Sequence, residues 1–235
     1  MNFELVLEVV FSLIAVFMAI VLHEVAHGYV AARLGDPTAR NRGRLTLNPL
    51  AHIDLIGTIL VPVGLAILRF VLGWPTPLFG WAKPVPISPA HFRNPLRGML
   101  YVALAGPGTN LALAFATAVI GRLILLAVPT ELLFGTVGFG GYLIQWFFYL
   151  LSAFVMYNLI LAVFNILPIP PLDGSRILMY FLPAEGRRFL LSIERYGFFI
   201  LIAVLYMGAL TPIFRGVESL WRLLLGTRWI VSVFT

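Results

Sequence analysis

Between Leu5 and Leu22 the chain offers only two polar side chains, Glu8 and Ser12, and it then runs directly into His23-Glu24-Val25-Ala26-His27. An apolar run of nearly 20 residues is long enough to cross a bilayer as a helix. That fixes the solvent before anything else is known. On a helix, positions i and i+4 share one face, so both imidazoles can approach a single ion. Glu24 sits one residue round, where it can take a proton from a water bound at that ion. In a soluble protein such a motif is often just a solvated helix face. Ionisable groups within a membrane span are costly and are retained for function.

Composition supports the same solvent. Of 235 residues, 60% are hydrophobic and 11% charged, with a mean hydropathy of +0.97. Soluble domains carry about a quarter charged residues. The net charge of +6 is scattered between apolar runs. It reads as positive cytoplasmic loops, not as a nucleic-acid surface. With no cysteine, disulfides and thiolate metal sites are excluded. Glu4 and Glu8 stand where a cleavable signal would need basic residues.

The chain predicts a first helix from about Phe3 to Leu34, stopped by Gly35-Asp36-Pro37. Arg33, Arg40, Arg42 and Arg44 at that end place it in the cytoplasm. His27 then lies below the membrane surface, nearer the cytoplasmic side, about 12 Å from Gly35 at 1.5 Å per residue. Arg44-Leu45-Thr46-Leu47 alternates and suits a short strand, part of a β-hairpin beside the site, or equally a plain surface loop. The Pro- and Gly-broken run Leu55–Trp81, flanked by basic residues on both sides, predicts partial re-entry into the membrane. The segment Trp74–Pro95, with six prolines, is expected to be irregular and interfacial.

Further helices are expected over Leu96–Val128 and Tyr142–Phe164, with a fourth crossing over Tyr196–Thr211 and an amphipathic, interfacial tail over 215–235. The first of these carries Gly106-Pro107-Gly108-Thr109-Asn110, whose small residues allow close helix approach and whose Asn110 requires a partner at that depth. The helix ending near Phe164 leads into Asn165-Ile166-Leu167-Pro168-Ile169-Pro170-Pro171-Leu172-Asp173-Gly174. Asp173 in that apolar setting needs a cation, either Arg176 nearby or the metal, where it would complete a set of two His and one carboxylate. His52 is expected to make a local hydrogen bond, with Asp54 as one partner, and His91 to do nothing catalytic. The fold class is therefore an all-α polytopic membrane protein of about four to six transmembrane helices. It forms one membrane-embedded domain over 1–235, with a core at about 5–185 and a C-terminal helix and tail over 186–235.

Together, His23-Glu24-x-x-His27, Gly106-Pro107-x-x-Asn110 and Asn165-x-x-Pro168-x-x-Pro171-x-Asp173-Gly174 resemble the site-2 protease family of intramembrane zinc metalloproteases. Gly43-Arg44-Leu45-Thr46-Leu47-Asn48-Pro49 and Phe79-Gly80-Trp81-Ala82-Lys83-Pro84 are similar to its compact prokaryotic branch. The resemblance implies one Zn2+ per chain on His23, His27 and Asp173, with Glu24 activating water. It implies Asn165 and Asn110 as residues that hold the substrate backbone or the oxyanion. It implies a transmembrane protein segment as substrate, a lipid bilayer as surroundings, and a multi-pass location in the cell membrane. A metal transporter and an inactive membrane scaffold are the alternatives. The transporter predicts further ligands along a path, and neither gives Glu24 a task.

Overall fold

The structure is a computed structural model that describes residues 3–70, 73, 82–127, 139–226 and 229, with only the backbone at 59, 62, 66, 69, 70 and 139. Three helices are long and apolar enough to span a membrane: α1 (Phe3–Arg33), α4 (Pro95–Ala127) and α5 (Phe139–Ile166). They pack against one another in a three-helix core. Between α1 and α4 lie the single-turn α2 (Thr38–Asn41) and α3 (Val61–Phe70), the latter entered through a π-helical turn over Leu55–Leu60. After α5 come the short α6 (Asp173–Phe181), α7 (Ala184–Glu194), α8 (Gly197–Tyr206) and α9 (Thr211–Leu225).

The ends of α1 follow from its sequence. Glu4 lies in the first turn and Arg33 in the last, each complementing the helix dipole. Gly35 follows with φ +103°, a left-handed stop. Pro95 opens α4 at a position where its missing N–H costs nothing, and the Asn94 side chain accepts from Arg97 N at 3.0 Å. Small residues fill the helix contacts, including Ala15 and Ala19 of α1 and Ala103, Ala114 and Ala118 of α4, all buried. Large apolar side chains such as Leu13, Met18, Phe115 and Leu123 point outward. This is the distribution expected when the surroundings are lipid, because burying a leucine against a helix then gains nothing over leaving it among acyl chains.

Several expectations change. Among the described residues there is no strand, so the hairpin at Arg44–Leu47 does not form. Its neighbour in space is Ala82–Ile87, in which Pro84 and Pro86 have no N–H to give to a ladder. The two stretches are tied instead by the Arg44 guanidinium, whose Nη2 donates to the carbonyls of Lys83 at 3.2 Å and Pro84 at 3.4 Å, and by Lys83 N donating to His52 O at 2.9 Å. The described residues hold three spans, or four if the bent pair α7–α8 counts as one, so they reach only the lowest of the four to six expected, and only with that pair counted. That pair turns through 79°, and the ten residues of α8 reach only about 15 Å alone, too short to cross. The re-entry expected over Leu55–Trp81 lies outside the described residues at 71–72 and 74–81, as does Phe79-Gly80-Trp81.

The C-terminal segment is not a free interfacial tail. Val217, Trp221, Leu225 and Trp229 are buried in a core shared with α4 and α5. Trp221 Nε1 donates to Ser152 O at 3.1 Å, and the Trp229 ring meets Phe148 edge-on at 5.4 Å. Residues 227–228 and 230–235 lie outside the described residues.

One buried carboxylate holds the C-terminal end of α1 to the proline-rich segment. Asp36 Oδ1 accepts from Thr38 N at 3.0 Å and from His91 Nδ1 at 2.9 Å, while Oδ2 accepts from Ser88 N at 2.7 Å. Burial alone would raise the Asp36 pKa, but these donors and the Thr38 hydroxyl outweigh it and hold it below the ordinary carboxylate value. A depressed folded-state pKa contributes stability that is present above the unfolded value of about 3.9 and is lost as pH falls through the folded one. We therefore expect the melting temperature of the detergent-solubilised chain to drop on acidification below about pH 4, and Asp36→Asn to flatten that drop while lowering stability at neutral pH. A wild-type profile with the same acid limb as Asp36→Asn would remove this role.

Candidate metal centre

The two histidines lie on one face of α1 about two to three turns short of its C-terminal end, and both are buried. Their Nε2 atoms stand 2.9 Å apart, with Asp173 Oδ2 at 3.1 Å from His23 Nε2 and 3.2 Å from His27 Nε2. Three potential ligand atoms thus converge within 4.8 Å, and no other such group occurs among the described residues. Crowding three donors face to face is poor hydrogen bonding and good ligation. Two imidazoles and one carboxylate is a zinc donor set that leaves a fourth position for water or substrate.

Asp173 comes from 150 residues away, and local sequence explains how. Prolines 168, 170 and 171 stop α5 from continuing, and the chain turns back on itself before starting α6 at Asp173. The turn is tight enough that a Cβ on Gly174 would lie 2.1 Å from Ile166 O and 2.2 Å from Leu167 O, so only glycine fits. Asp173 sits in the first turn of α6, where a carboxylate is favoured by the helix dipole. Arg176 does not neutralise it. That guanidinium pairs with Glu194 of α7.

Each histidine is oriented from behind. His27 Nδ1 donates to Val102 O at 2.7 Å, and His23 Nδ1 donates to Asn110 Oδ1 at 2.5 Å, which turns both Nε2 lone pairs toward Asp173. Gly106 lies directly over the pair. A Cβ there would stand 2.5 Å from Cε1 of both His23 and His27. The glycine in Gly106-Pro107-x-x-Asn110 therefore makes room for the imidazoles themselves, beyond the helix packing expected of it.

Glu24 is next to His23 on α1, and its Oε2 accepts from Val85 N at 2.8 Å, leaving Oε1 without a partner among the described residues. The proline-rich segment thereby anchors the carboxylate.

The two asparagines part company. Asn110 was expected at substrate or oxyanion, but both its amide hydrogens are committed, to Ala19 O at 3.2 Å and to Asn158 Oδ1 at 2.7 Å. It has no donor left for an oxyanion, and its place is behind His23. Asn165 donates one hydrogen to Leu161 O at 3.0 Å, one turn back on its own helix, and is only partly buried. His52 makes a local bond, to Thr46 O at 2.9 Å instead of to Asp54. Asp54 caps the turn at Leu55–Leu60, accepting from Ile56 N and Gly57 N. Asn158, Val85 and Asp36 were not singled out from sequence. An amide within an apolar span was the available signal for Asn158, by the same rule that drew attention to Asn110.

Comparison with known proteins places this geometry. The model of peptidase family M50 matches residues 77–208. YwhC of Bacillus subtilis is 37% identical over 91% of this chain and 85% of its own length. Rip2 of Mycobacterium tuberculosis H37Rv is 32% identical over 85% of this chain and 68% of its own, and Rip2 of Mycolicibacterium smegmatis 31% over 82% and 65%. Their names give zinc metalloprotease as a provisional assignment. No solved structure matches the chain. The chain belongs to peptidase family M50, the site-2 protease family, and is a multi-pass membrane zinc metalloprotease.

Proposed function

We propose that the protein is an intramembrane endopeptidase, cutting peptide bonds in or beside the membrane-spanning segments of other membrane proteins, with one zinc per chain held by His23, His27 and Asp173. The observation that carries this reading is the convergence of Asp173 on His23 and His27, which share with Glu24 a helix long and apolar enough to span a bilayer. When bound, zinc supplies Lewis acidity and lowers the pKa of water at the site toward about 7.

The chain's own groups do the rest. Glu24 takes the proton of the attacking water on Oε1, its other oxygen being held by Val85 N, and passes it to the leaving amine. A helical peptide bond is shielded by its own hydrogen bonds, so the substrate unwinds locally before it is cut. Asn165 retains one amide hydrogen and its carbonyl oxygen for an extended substrate backbone. The arginines at 33, 40, 42 and 44 support a site toward the cytoplasmic side. A transporter reading has less to stand on, because the described residues offer no second ligand group along a path.

The test is cleavage of a single-span reporter by the full chain reconstituted in vesicles. Chelation of zinc is expected to stop cleavage and added zinc to restore it. Cleavage indifferent to chelation would overturn the reading.

A further inference from the structure

We infer that Asn158, about two turns before the end of α5, is a positioning residue of the metal centre: through Asn110 it fixes the tautomer in which His23 presents a lone pair to the ion. This rests on the zinc reading above.

Asn158 is completely buried. Its Nδ2 donates to Phe154 O, one turn back on α5, at 2.8 Å, which turns its Oδ1 toward α4. There Oδ1 accepts from Asn110 Nδ2 at 2.7 Å. The other Asn110 hydrogen goes to Ala19 O of α1. With both hydrogens drawn to oxygens, the Asn110 carbonyl must face His23 Nδ1. A carbonyl in that position requires a proton on Nδ1, so the lone pair lies on Nε2, the atom that faces His27 and Asp173.

The reverse orientation shows what Asn158 contributes. If the Asn110 amide flipped, its NH2 would face Nδ1 and stabilise the tautomer protonated on Nε2, which has no lone pair for a metal. In the protein that flip sets the Asn110 oxygen against two others, Ala19 O and Asn158 Oδ1. Without Asn158 only Ala19 O opposes it, from the longer distance of 3.2 Å. The two histidines are thus secured differently. His27 relies on a backbone carbonyl, Val102 O, that no substitution removes. His23 relies on a chain of two amides from two other helices. An amide at this depth is costly unless every group has a partner, and this chain gives both Asn158 groups one.

Asn158→Leu keeps the size and removes both groups. Asn158→Asp, neutral in this buried setting, keeps both: its hydroxyl donates to Phe154 O and its carbonyl accepts from Asn110. The experiment measures zinc affinity of the purified full chain by chelator competition, together with the visible spectrum of the cobalt-substituted protein. Removing a partner behind a ligand weakens metal binding by about 10- to 100-fold. That loss and a changed cobalt spectrum are expected for Asn158→Leu, and for Asn158→Ala should the leucine variant not fold. Asn158→Asp is expected to bind within about threefold of wild type. Wild-type affinity and spectrum in the leucine or alanine variant would overturn the inference, as would an aspartate variant as weak as the leucine one. Wild-type protein that binds no zinc would overturn the metal-centre reading, and this one with it. Wild-type binding with unaffected variants would overturn this one alone.

Discussion

Glu24→Gln is expected to lower the rate of reporter cleavage by about 10²- to 10⁴-fold, with zinc content and melting temperature unchanged. The substitution is nearly isosteric, and the glutamine carbonyl can still accept from Val85 N, the one bond the carboxylate makes at 2.8 Å. What it loses is the capacity to take a proton. His23, His27 and Asp173, which converge without help from Glu24, are undisturbed. A metal-transit role or a purely structural one gives no reason for such a loss. Full cleavage by the Gln variant would remove Glu24 as general base and the mechanism with it.

Gly106→Ala is expected to be the more damaging of two similar changes on α4. The added carbon would lie 2.5 Å from Cε1 of both imidazoles and 2.6 Å from His23 Nε2. The rings have nowhere to retreat, because Asn110 and Val102 O hold them from behind. Overpacking of this kind costs about 1–3 kcal/mol. Since the clash is with the ligands, we expect it to appear as roughly tenfold to hundredfold weaker zinc binding. Gly108→Ala is the control. Its Cβ would meet nothing within 4 Å, and alanine is the better helix former, so stability should be unchanged or slightly raised. Equal zinc affinity in the two variants would mean that Gly106 serves packing alone.

How far the sequence could be read depended on whether an interaction is local or long-range. His23 and His27 are four apart on one apolar helix, so their shared face follows from helical periodicity. Asp173 could be named because an isolated carboxylate in an apolar setting must have a cation, although nothing in the spacing says which. Its approach depends on a turn at Gly174 that only coordinates display. Asn110 stands out by the same cost argument, but its partners do not. Where an amide sends its hydrogens is decided by partners 48 and 91 residues away. The strand expected at Arg44–Leu47 had the right alternation and a neighbour whose prolines cannot pair. The C-terminal tail reads as interfacial from its arginines and from Trp221 and Trp229. Its other face, with Val217, Trp221 and Leu225, found a place against α4 and α5 that periodicity alone cannot locate. The link between Asp36 and His91 spans 55 residues and had no sequence signal beyond two polar side chains in turns.

The central claim is that two distant stretches of chain form one zinc site. Metal content of the detergent-purified full chain, measured beside His23→Ala and Asp173→Ala, tests it most directly. About one zinc per wild-type chain, lost or greatly weakened in both variants, is the predicted result. A folded wild type that takes up no zinc on reconstitution would contradict the claim outright. Zinc retained at full affinity without Asp173 would break the link between α1 and the turn before α6 on which the account depends.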